Sequence, residues 1–275
     1  MICFHHNDPD GRCAGAIVNK KFINAVPSDI KFIEMEYSKE PLLDQIIPEE
    51  VVFIVDFSFK PEVMEKIYDI SKNITWIDHH KTILDHPWNN DNIAGIRQLG
   101  KSGALLTWEY LYDAPAPLAV QLVSDYDCWI LSDERSKPFV FGLQLQDISP
   151  RSSFWDKLLD SNTMVPKCVV MGQTCLDFVK KFGTEYGTSY GFETTLEGHK
   201  CFAQGFYMFG STAFGERINQ YDICLSYEFF GDKWIVGLYS VNPDIDVSAI
   251  AKKHGGGGHK GAAGFVCNEL PFVKN

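Results

Sequence analysis

The chain has 275 residues, more than most single domains contain, so we expect two domains and a sizeable buried core. Its 25 basic and 36 acidic residues give a net charge of −11, which argues against a protein that grips long duplex nucleic acid through a broad basic surface. Its eight cysteines form no C-x-x-C pair, and no apolar stretch resembles a secretory leader or the roughly 20 residues of a membrane span, so we expect reduced thiols and a cytoplasmic protein without a membrane partner.

The first predicted strand is the apolar run 2–4, and a turn containing proline and glycine separates it from a helix at 12–22. His6, Asp8 and Asp10 lie in this turn, so their side chains can converge instead of running along a helix or strand. Histidine and aspartate are common metal ligands, which makes the turn a candidate metal site. The alternative is that Asp8 or Asp10 simply caps the helix and complements its dipole.

Two further strands are predicted at Lys31–Met35 and 51–55, and the second is a continuous apolar run typical of parallel strands that are covered on both faces. Asp56 follows it directly. A carboxylate beside five buried apolar residues is costly unless it is paired or bound to a cation. We therefore expect Asp56 either to bind a metal ion or to cap the helix predicted at Pro61–Ile70, a role that Ser58 could also fill.

The most informative stretch is Asp78-His79-His80, which follows the strand predicted at Ile74–Ile77. In an open parallel sheet, side chains just past the carboxyl ends of the strands share one crevice. A carboxylate and two imidazoles in that place can bind a divalent metal, with one imidazole left to contact a metal-bound anion. Taken alone, the triplet is equally compatible with a solvated loop that contains two histidines.

A fifth strand is predicted at 94–99, followed by the turn Gly100-Lys101-Ser102-Gly103 and a helix at 104–112. Alternating strands and helices predict an α/β fold, here a parallel sheet with helices on both faces. The turn resembles the end of a nucleotide-binding P-loop, but Ile96 occupies the position where a P-loop requires its first glycine. We therefore do not expect a P-loop.

Two more carboxylates, Asp125 and Asp127, follow an apolar helical stretch at 119–123 and lie beside aromatic residues. Either one is a candidate for the last metal ligand of a site built from the earlier turns. The alternative is that both form the polar end of a helix.

A change of pattern near residue 163 predicts a domain boundary. A helical stretch at 149–162 is followed by a connecting helix at 164–182 that we expect to end at Gly183, and a linker continues to residue 191. The predicted organisation is a domain at 1–163, a linker helix and loop at 164–191, and a second domain at 192–275.

The second domain is predicted to be a smaller α/β unit. Strand-like segments occur at 200–203, 222–227 and 234–240, with short helices near 214–220 and at Val247–Lys253.

Four consecutive glycines at 255–258 precede His259 near the end of this domain. Such a run is expected where the backbone must approach a ligand or adopt positive φ, and its exposed amides can form an anion-binding nest. The alternative is a disordered glycine tract, but the apolar stretch that follows argues against it.

These features occur in a fixed order: His6-x-Asp8-x-Asp10-Gly11, Asp56, Asp78-His79-His80, Asp125 or Asp127, and GGGGHKGAAG at 255–264. The series resembles the DHH phosphoesterase superfamily over nearly the whole chain. That family includes RecJ-like nucleases, nanoRNases, cyclic-dinucleotide phosphodiesterases, exopolyphosphatases and one class of pyrophosphatases. The resemblance implies a first domain that holds two divalent ions, with Mn²⁺ favoured and Mg²⁺ or Co²⁺ able to substitute. It also implies a DHH-associated second domain, as in the oligoribonuclease and dinucleotide phosphodiesterase branch.

The resemblance also implies roles for individual residues. The expected metal ligands are His6, Asp8, Asp10, Asp56, His79 and Asp125, with Asp56 bridging the ions and Asp127 in reserve for Asp125. The expected catalytic residues are His80, which faces the substrate phosphate, and Asp78, which orients an imidazole. The expected substrate-binding residues are His80, Gly256, Gly257, Gly258 and His259. Some family members use a longer first motif that would place Arg12 at a carboxylate position, and we choose the shorter spacing.

The implied function is a metal-dependent phosphoesterase or phosphodiesterase that hydrolyses oligoribonucleotides or linear or cyclic dinucleotides with a metal-activated water. The alternatives are an exopolyphosphatase or small phosphomonoesterase, such as a 3′-phosphoadenosine 5′-phosphate phosphatase, a RecJ-like single-strand exonuclease, and a nucleotide sensor without turnover. The expected partner is a short nucleotide or small phosphoester and not a long duplex, and both a monomer and a homodimer remain open.

Overall fold

The computed structural model describes residues 1–24, 30–37, 40–90 and 92–274, without the side chain of Thr82. Asn275, the last residue of the predicted second domain, lies outside them. The chain divides into two compact units, Met1–Gln173 and Thr174–Asn275.

The first unit contains a parallel sheet of four strands: β1 (Ile2–His6), β2 (Lys31–Met35), β3 (Val52–Val55) and β4 (Ile74–Ile77). The spatial order is β2-β1-β3-β4, and every neighbouring pair is parallel. The apolar runs of β3 and β4 form strands because both of their faces are covered, which satisfies continuous hydrophobic sequence. The predicted parallel α/β sheet is confirmed.

Alternate residues of these strands enter two separate cores, one on each face of the sheet. Cys3, Phe53, Val55 and Ile77 pack in one core, and Phe4, Ile54 and Trp76 are among those in the other. The described α-helices that lie wholly within this unit are α1 (Pro9–Phe22), α2 (Pro61–Ile70), α3 (Gly103–Leu111), α4 (Leu118–Asp127), α5 (Ser136–Leu143) and α6 (Phe154–Leu159). Helices α1, α3 and α4 contribute to the first core and α2 to the second, so helices cover both faces as predicted.

The prediction of a regular strand at 94–99 is wrong. Only two isolated pairs, Thr75 with Ala94 and Asp78 with Arg97, connect this segment to β4 in the described part of the chain. Gly95 interrupts the ladder with φ 116°, and a β-carbon there would lie 2.0 Å from the Trp76 carbonyl oxygen. The Arg97 guanidinium instead donates to the carbonyl oxygens of Trp76 and Ala94, both at 3.1 Å, so a side chain takes over part of the bonding that a strand backbone would make.

The connecting helix is longer than predicted. Helix α7 runs from Val165 to Tyr190, so it does not end at Gly183 and the predicted linker loop is helical up to residue 190. Gly183 serves close packing, because a β-carbon there would lie 1.9 Å from the carbonyl oxygen of Ala213. A glycine required by a tertiary contact gives the same sequence pattern as a glycine at a helix end.

The second unit contains a mixed sheet of six strands in the order β5-β6-β7-β8-β10-β9. Its strands are β5 (Phe192–Leu196), β6 (His199–Gln204), β7 (Ile223–Phe230), β8 (Lys233–Tyr239), β9 (Gly257–His259) and β10 (Ala262–Cys267). Within this sheet β6 and β7 pair in parallel, and its other described ladders are antiparallel. The three predicted strands match β6, β7 and β8 within three residues at each end.

Helix α8 (Val247–Lys253) matches its prediction and packs on one face of this sheet through Val247, Ile250 and Ala251. A 3₁₀ segment at Gly210–Asn219 places Phe214 in a smaller core that also contains Phe202 and Cys224. The smaller second α/β unit is therefore confirmed as a fold. In the described ranges, no helix has both the length and the apolar composition that a bilayer crossing requires.

Candidate metal centre

The carboxyl ends of β1, β3 and β4 bring the predicted ligands to one edge of the first sheet. His6 is the last residue of β1, Asp56 follows β3, and Asp78-His79-His80 follows β4. Because parallel strands end on the same side, these side chains share a crevice although they are up to 74 positions apart in sequence.

Asp8 caps α1 and also lies beside another candidate ligand, His6. One carboxylate oxygen accepts a hydrogen bond from the Gly11 amide at 2.8 Å and caps α1, while the other lies 2.7 Å from His6 Nδ1. Burial raises the pKa of Asp8, but the hydrogen bond and charge of His6 outweigh it and the net pKa is lowered. Asp8 is thus held ionised beside an imidazole.

Asp10 is held by the N-terminus of α3. Its carboxylate is 1% exposed and accepts hydrogen bonds from the amides of Gly103 at 2.7 Å and Ala104 at 3.1 Å. A β-carbon on Gly103 would lie 2.4 Å from the Asp56 β-carbon, so only glycine permits this approach. The P-loop-like turn therefore positions two aspartates, while the Lys101 ammonium pairs with Glu109 at 2.8 Å.

Asp56 lies at the centre of the cluster. Its backbone has φ 55°, a left-handed conformation that residues with a β-carbon seldom adopt. One oxygen lies 3.0 Å from His79 Nε2 and the other 3.8 Å from His6 Nδ1. Neither Asp56 nor Ser58 caps α2: the cap residue is Lys60, which makes no side-chain capping bond, and the Ser58 hydroxyl donates to Asp78.

Both carboxylate oxygens of Asp56 are buried and accept no hydrogen bond from any described residue. Burial raises the pKa of Asp56 well above its usual value, and the neighbouring charges of Asp10, Asp8 and Asp127 raise it further. An unpaired buried carboxylate costs several kcal/mol, on the order of the penalty for a lost ion-pair partner. A bound cation would remove this cost, so the Asp56 site fits a metal ion.

The last ligand candidate is Asp127 and not Asp125, which corrects our first choice. Asp127 Oδ2 lies 3.3 Å from His79 Nε2, is buried, and accepts no hydrogen bond within the described chain. Burial followed by the charges of Asp10 and Asp8 raises the pKa of Asp127 to about 9. Asp125 points elsewhere: its carboxylate accepts hydrogen bonds from the Ser132 amide at 3.0 Å and from the Ser136 hydroxyl.

Cys128 is a third group near His79 and Asp127 that the sequence did not single out. Potential ligand atoms of these three residues lie within 4.8 Å of one another. Burial, and then the charges of Asp127 and Asp10, raise the pKa of the Cys128 thiol to about 12. Thiolates prefer softer metals than a carboxylate-rich cluster suits, which disfavours Cys128 as a ligand beside these aspartates.

Asp78 is fully buried and organises the turn that carries both histidines. One of its oxygens accepts hydrogen bonds from the His79 amide at 2.7 Å and the His80 amide at 3.3 Å, and lies 2.7 Å from His80 Nδ1. The Ser58 hydroxyl donates to the other oxygen. Asp78 therefore orients the His80 ring, which agrees with the expectation that it acts through an imidazole and not as a ligand.

His80 keeps a positive charge more readily than a free imidazole. Burial lowers its pKa, but the hydrogen bond and charge of Asp78 outweigh burial and raise it. Tyr37, which the sequence did not indicate, lies beside it: the Tyr37 ring centroid is 5.9 Å from that of His80 and 5.7 Å from that of His6. Its position two residues after β2, at the same sheet edge, is the signal that could have identified it.

These residues form two groups of candidate ligands, called half-sites here, that both include Asp56. In the first, potential ligand atoms of His6, Asp8 and Asp56 lie within 4.8 Å of one another. In the second, carboxylate oxygens of Asp10, Asp56 and Asp127 lie 3.0–3.8 Å from His79 Nε2. Carboxylate oxygens together with imidazole suit Mn²⁺ and Mg²⁺, whereas a structural zinc site is typically rich in cysteine. Arg12 pairs with Glu34 at 2.9 Å, so it does not occupy a carboxylate position of this cluster.

The glycine-rich segment of the second unit differs from the predicted anion-binding nest. The amide of Gly256 donates to the Ala251 carbonyl oxygen at 2.9 Å, so it is engaged in closing α8 and does not face an anion. Gly257, Gly258 and His259 form the edge strand β9, paired with β10. Positive φ at Gly258, 141°, agrees with the predicted need for glycine. A substrate-binding role for Gly257, Gly258 and His259 stays a prediction.

No protein-family model matches the chain. A sequence relative, uncharacterised protein R106 of Acanthamoeba polyphaga mimivirus, is 27% identical over an alignment of 249 residues that covers 84% of this chain. The chain spans 57% of the length of that relative.

Three solved structures resemble the whole fold. The pGpG-specific phosphodiesterase PggH from Vibrio cholerae has a TM-score of 0.52 at 16% identity, covering 97% of this chain and 92% of that one. An exopolyphosphatase-related protein from Bacteroides fragilis has a TM-score of 0.52 at 12% identity, and the match covers 98% of this chain and 86% of that one. RecJ from Thermus thermophilus, in complex with Mn²⁺, has a TM-score of 0.50 at 13% identity, and the match covers 97% of this chain and 49% of that one. At such low identity these likenesses establish the fold alone.

Proposed function

We propose that this chain, whose fold is that of the DHH phosphoesterase superfamily, is a metal-dependent phosphodiesterase that hydrolyses dinucleotide-sized substrates. The observation that carries the proposal is Asp56, a buried carboxylate in a left-handed backbone conformation with no hydrogen-bond donor among the described residues. A left-handed backbone combined with a buried carboxylate that accepts no hydrogen bond persists where function requires it. The three other aspartates and two histidines around it supply the remaining ligands of a divalent-metal centre.

Metal ions bound in such a centre lower the pKa of a coordinated water and neutralise phosphoryl oxygens. The protein's own groups have distinct tasks in this account. Asp56 sits between His6 and His79 and fixes the separation of the half-sites. Asp78 holds the His80 ring by a 2.7 Å contact, and the raised pKa of His80 favours a cation that can face a substrate phosphate. The α3 N-terminus orients the Asp10 carboxylate through two amide hydrogen bonds.

The negative net charge of the chain favours small substrates over long strands. A nuclease for long strands gains affinity from many salt-sensitive phosphate contacts along a basic groove, and a net charge of −11 offers few of them. The name of PggH, a pGpG-specific phosphodiesterase, supports the same size class. A dinucleotide has one internal phosphodiester, which a single metal centre can hold.

The test is a comparison of initial rates in Mn²⁺ on labelled single strands of about 2, 5 and 20 residues, chosen to bracket the few contacts available. We expect the dinucleotide to react fastest and the rate to fall steeply with length. Equal or rising rates would favour a RecJ-like exonuclease. Parallel reactions with cyclic dinucleotides, 3′-phosphoadenosine 5′-phosphate and polyphosphate identify a phosphomonoesterase or exopolyphosphatase, and binding without turnover of any substrate would identify a sensor.

A further inference from the structure

The loop at 128–133, which follows α4, exposes an apolar surface directly beside the metal centre. Trp129, Ile130 and Leu131 are 56%, 57% and 39% exposed, although apolar side chains of this size are usually buried. Asp127 is two positions before Trp129, so their α-carbons are at most about 7.6 Å apart, two steps of 3.8 Å. The Trp129 ring lies beside that of Tyr126, with centroids 5.7 Å apart, and more than half of the residue is exposed.

The backbone of this loop is strained. Trp129 and Leu131 have φ of 55° and 53°, left-handed values that are uncommon for any residue with a β-carbon and unusual for bulky ones. The Trp129 amide donates to the Tyr126 carbonyl oxygen at 3.0 Å and the Ile130 amide to the Asp125 carbonyl oxygen at 3.0 Å, which is the Schellman pattern that ends a helix. Such helix ends usually place glycine where this chain has Trp129, so the chain keeps an exposed indole two residues after the last ligand candidate at a position that favours glycine.

Asp125 holds the loop in this conformation. Its carbonyl oxygen accepts hydrogen bonds from the amides of Ile130 at 3.0 Å and Leu131 at 3.2 Å. Its carboxylate accepts from the Ser132 amide and hydroxyl at 3.0 and 2.6 Å, from the Asp133 amide at 3.2 Å, and from the Ser136 hydroxyl. One aspartate thus fixes the segment that carries the exposed indole, which gives Asp125 a positioning role in place of metal binding.

We infer that the Trp129 indole is a stacking platform for a nucleobase of the substrate held at the metal centre, an inference that rests on the proposed function. An indole and a nucleobase are flat groups of similar size, and stacking on aromatic side chains tolerates every base. A protein partner is a poorer fit, because three half-exposed side chains offer on the order of 300 Å² against the roughly 800 Å² per partner of a standard interface. The indole therefore selects nucleotides over phosphoesters that lack a ring.

The experiment measures equilibrium binding of AMP and of inorganic phosphate to the full chain in Mn²⁺, for wild type, Trp129→Ala, Trp129→Phe and Phe178→Ala. Phe178 is a matched control, since it is 67% exposed and lies on α7, which carries none of the candidate ligands. Losing one stacking contact is expected to weaken AMP binding by about 5- to 150-fold in Trp129→Ala. Trp129→Phe should retain most of the affinity, and phosphate and Mn²⁺ binding should not change.

Unchanged AMP affinity in Trp129→Ala overturns the inference, as does an equal loss for AMP and phosphate, which would indicate damage to the metal centre. A change in molecular mass on gel filtration without a change in AMP binding also overturns it, because the patch would then be a protein contact. Hydrolysis separates this inference from the proposed function. If Trp129→Ala selectively loses AMP binding but the wild type hydrolyses no nucleotide, the stacking inference stands and the phosphodiesterase proposal is refuted. If the wild type hydrolyses dinucleotides and Trp129→Ala does so with an unaltered KM, the phosphodiesterase proposal stands and the stacking inference is refuted.

Discussion

Gly103→Ala is the substitution for which the structure gives the clearest mechanical expectation. The new methyl group would lie 2.4 Å from the Asp56 β-carbon and 2.8 Å from Asp56 Oδ1. Carbon atoms pack at about 3.5–4.0 Å, so either Asp56 or the start of α3 must move by about 1 Å. The same helix start donates two amides to Asp10, so both aspartates are displaced together.

The magnitude depends on which of two effects is larger. Helix propensity alone would make alanine more stable than glycine by up to about 1 kcal/mol. Overpacking in a rigid site costs about 1–3 kcal/mol, and a misplacement of about 1 Å at a reactive centre costs about 100-fold in rate. Because the backbone and the buried Asp56 surround Gly103, we expect overpacking to dominate, with lower stability and a roughly 100-fold lower kcat.

The assay is hydrolysis of a linear dinucleotide in saturating Mn²⁺, with thermal unfolding of the same samples. Lys101→Ala is the matched control, because this residue precedes the same helix but pairs with Glu109 away from the aspartates. It should keep wild-type kcat. A folded Gly103→Ala protein with wild-type kcat, or one that is more stable than wild type, would refute the claim that this glycine sets the position of Asp56.

Three other predictions address the ligands and the second unit. Asp127→Ala should lower the amount of bound Mn²⁺ and abolish hydrolysis, whereas Asp125→Ala should keep the metal content and loosen the loop at 128–133. Metal analysis of both variants tests this, and loss of metal in Asp125→Ala alone would restore Asp125 as the ligand. Raised pKa values at Asp56 and Asp127, the latter about 9, mean that Mn²⁺ displaces protons, so affinity should rise with pH by up to tenfold per unit for each proton released. Calorimetry in buffers of different ionisation enthalpy measures this, and pH-independent affinity would contradict it. His259→Ala should weaken dinucleotide binding at unchanged metal content; lost metal would contradict a separate substrate-binding role.

The ligands at strand ends could be predicted from sequence because each follows a short apolar run. Val52–Val55 and Ile74–Ile77 are hydrophobic enough to specify buried strands, so the polar residues after them must emerge at the sheet edge. The turn after β1 added His6, Asp8 and Asp10 by the same reasoning. This part of the site is local in sequence, and the parallel topology assembles it.

The choice between Asp125 and Asp127 could not be made in the same way. Both lie in the last turn of α4, and successive helical residues rotate by about 100°, so the two carboxylates point about 200° apart. Which face of the helix meets His79 depends on how α4 packs against α1 and α3. The sequence of one helix carries no information about that packing.

Two glycines illustrate a second limit. The sequence predicts a turn at Gly103 and a helix end at Gly183, yet each glycine is required because residues from elsewhere in the chain, Asp56 and Ala213 respectively, approach it closely. Asp10 and Gly103 are 93 positions apart, and their hydrogen bond leaves no periodic pattern in the sequence. Contacts of this kind appear only when the elements are assembled.

The most direct test of the metal-centre account is the Mn²⁺ stoichiometry of wild type and Asp56→Asn. Asparagine keeps the shape of the side chain and tolerates the left-handed backbone at this position, so the fold should persist and the metal-free protein should be no less stable. A bridging carboxylate predicts about two ions per wild-type chain. The account also predicts at most one ion, and no dinucleotide hydrolysis, in Asp56→Asn. Wild-type stoichiometry and turnover in a folded Asp56→Asn protein would contradict it.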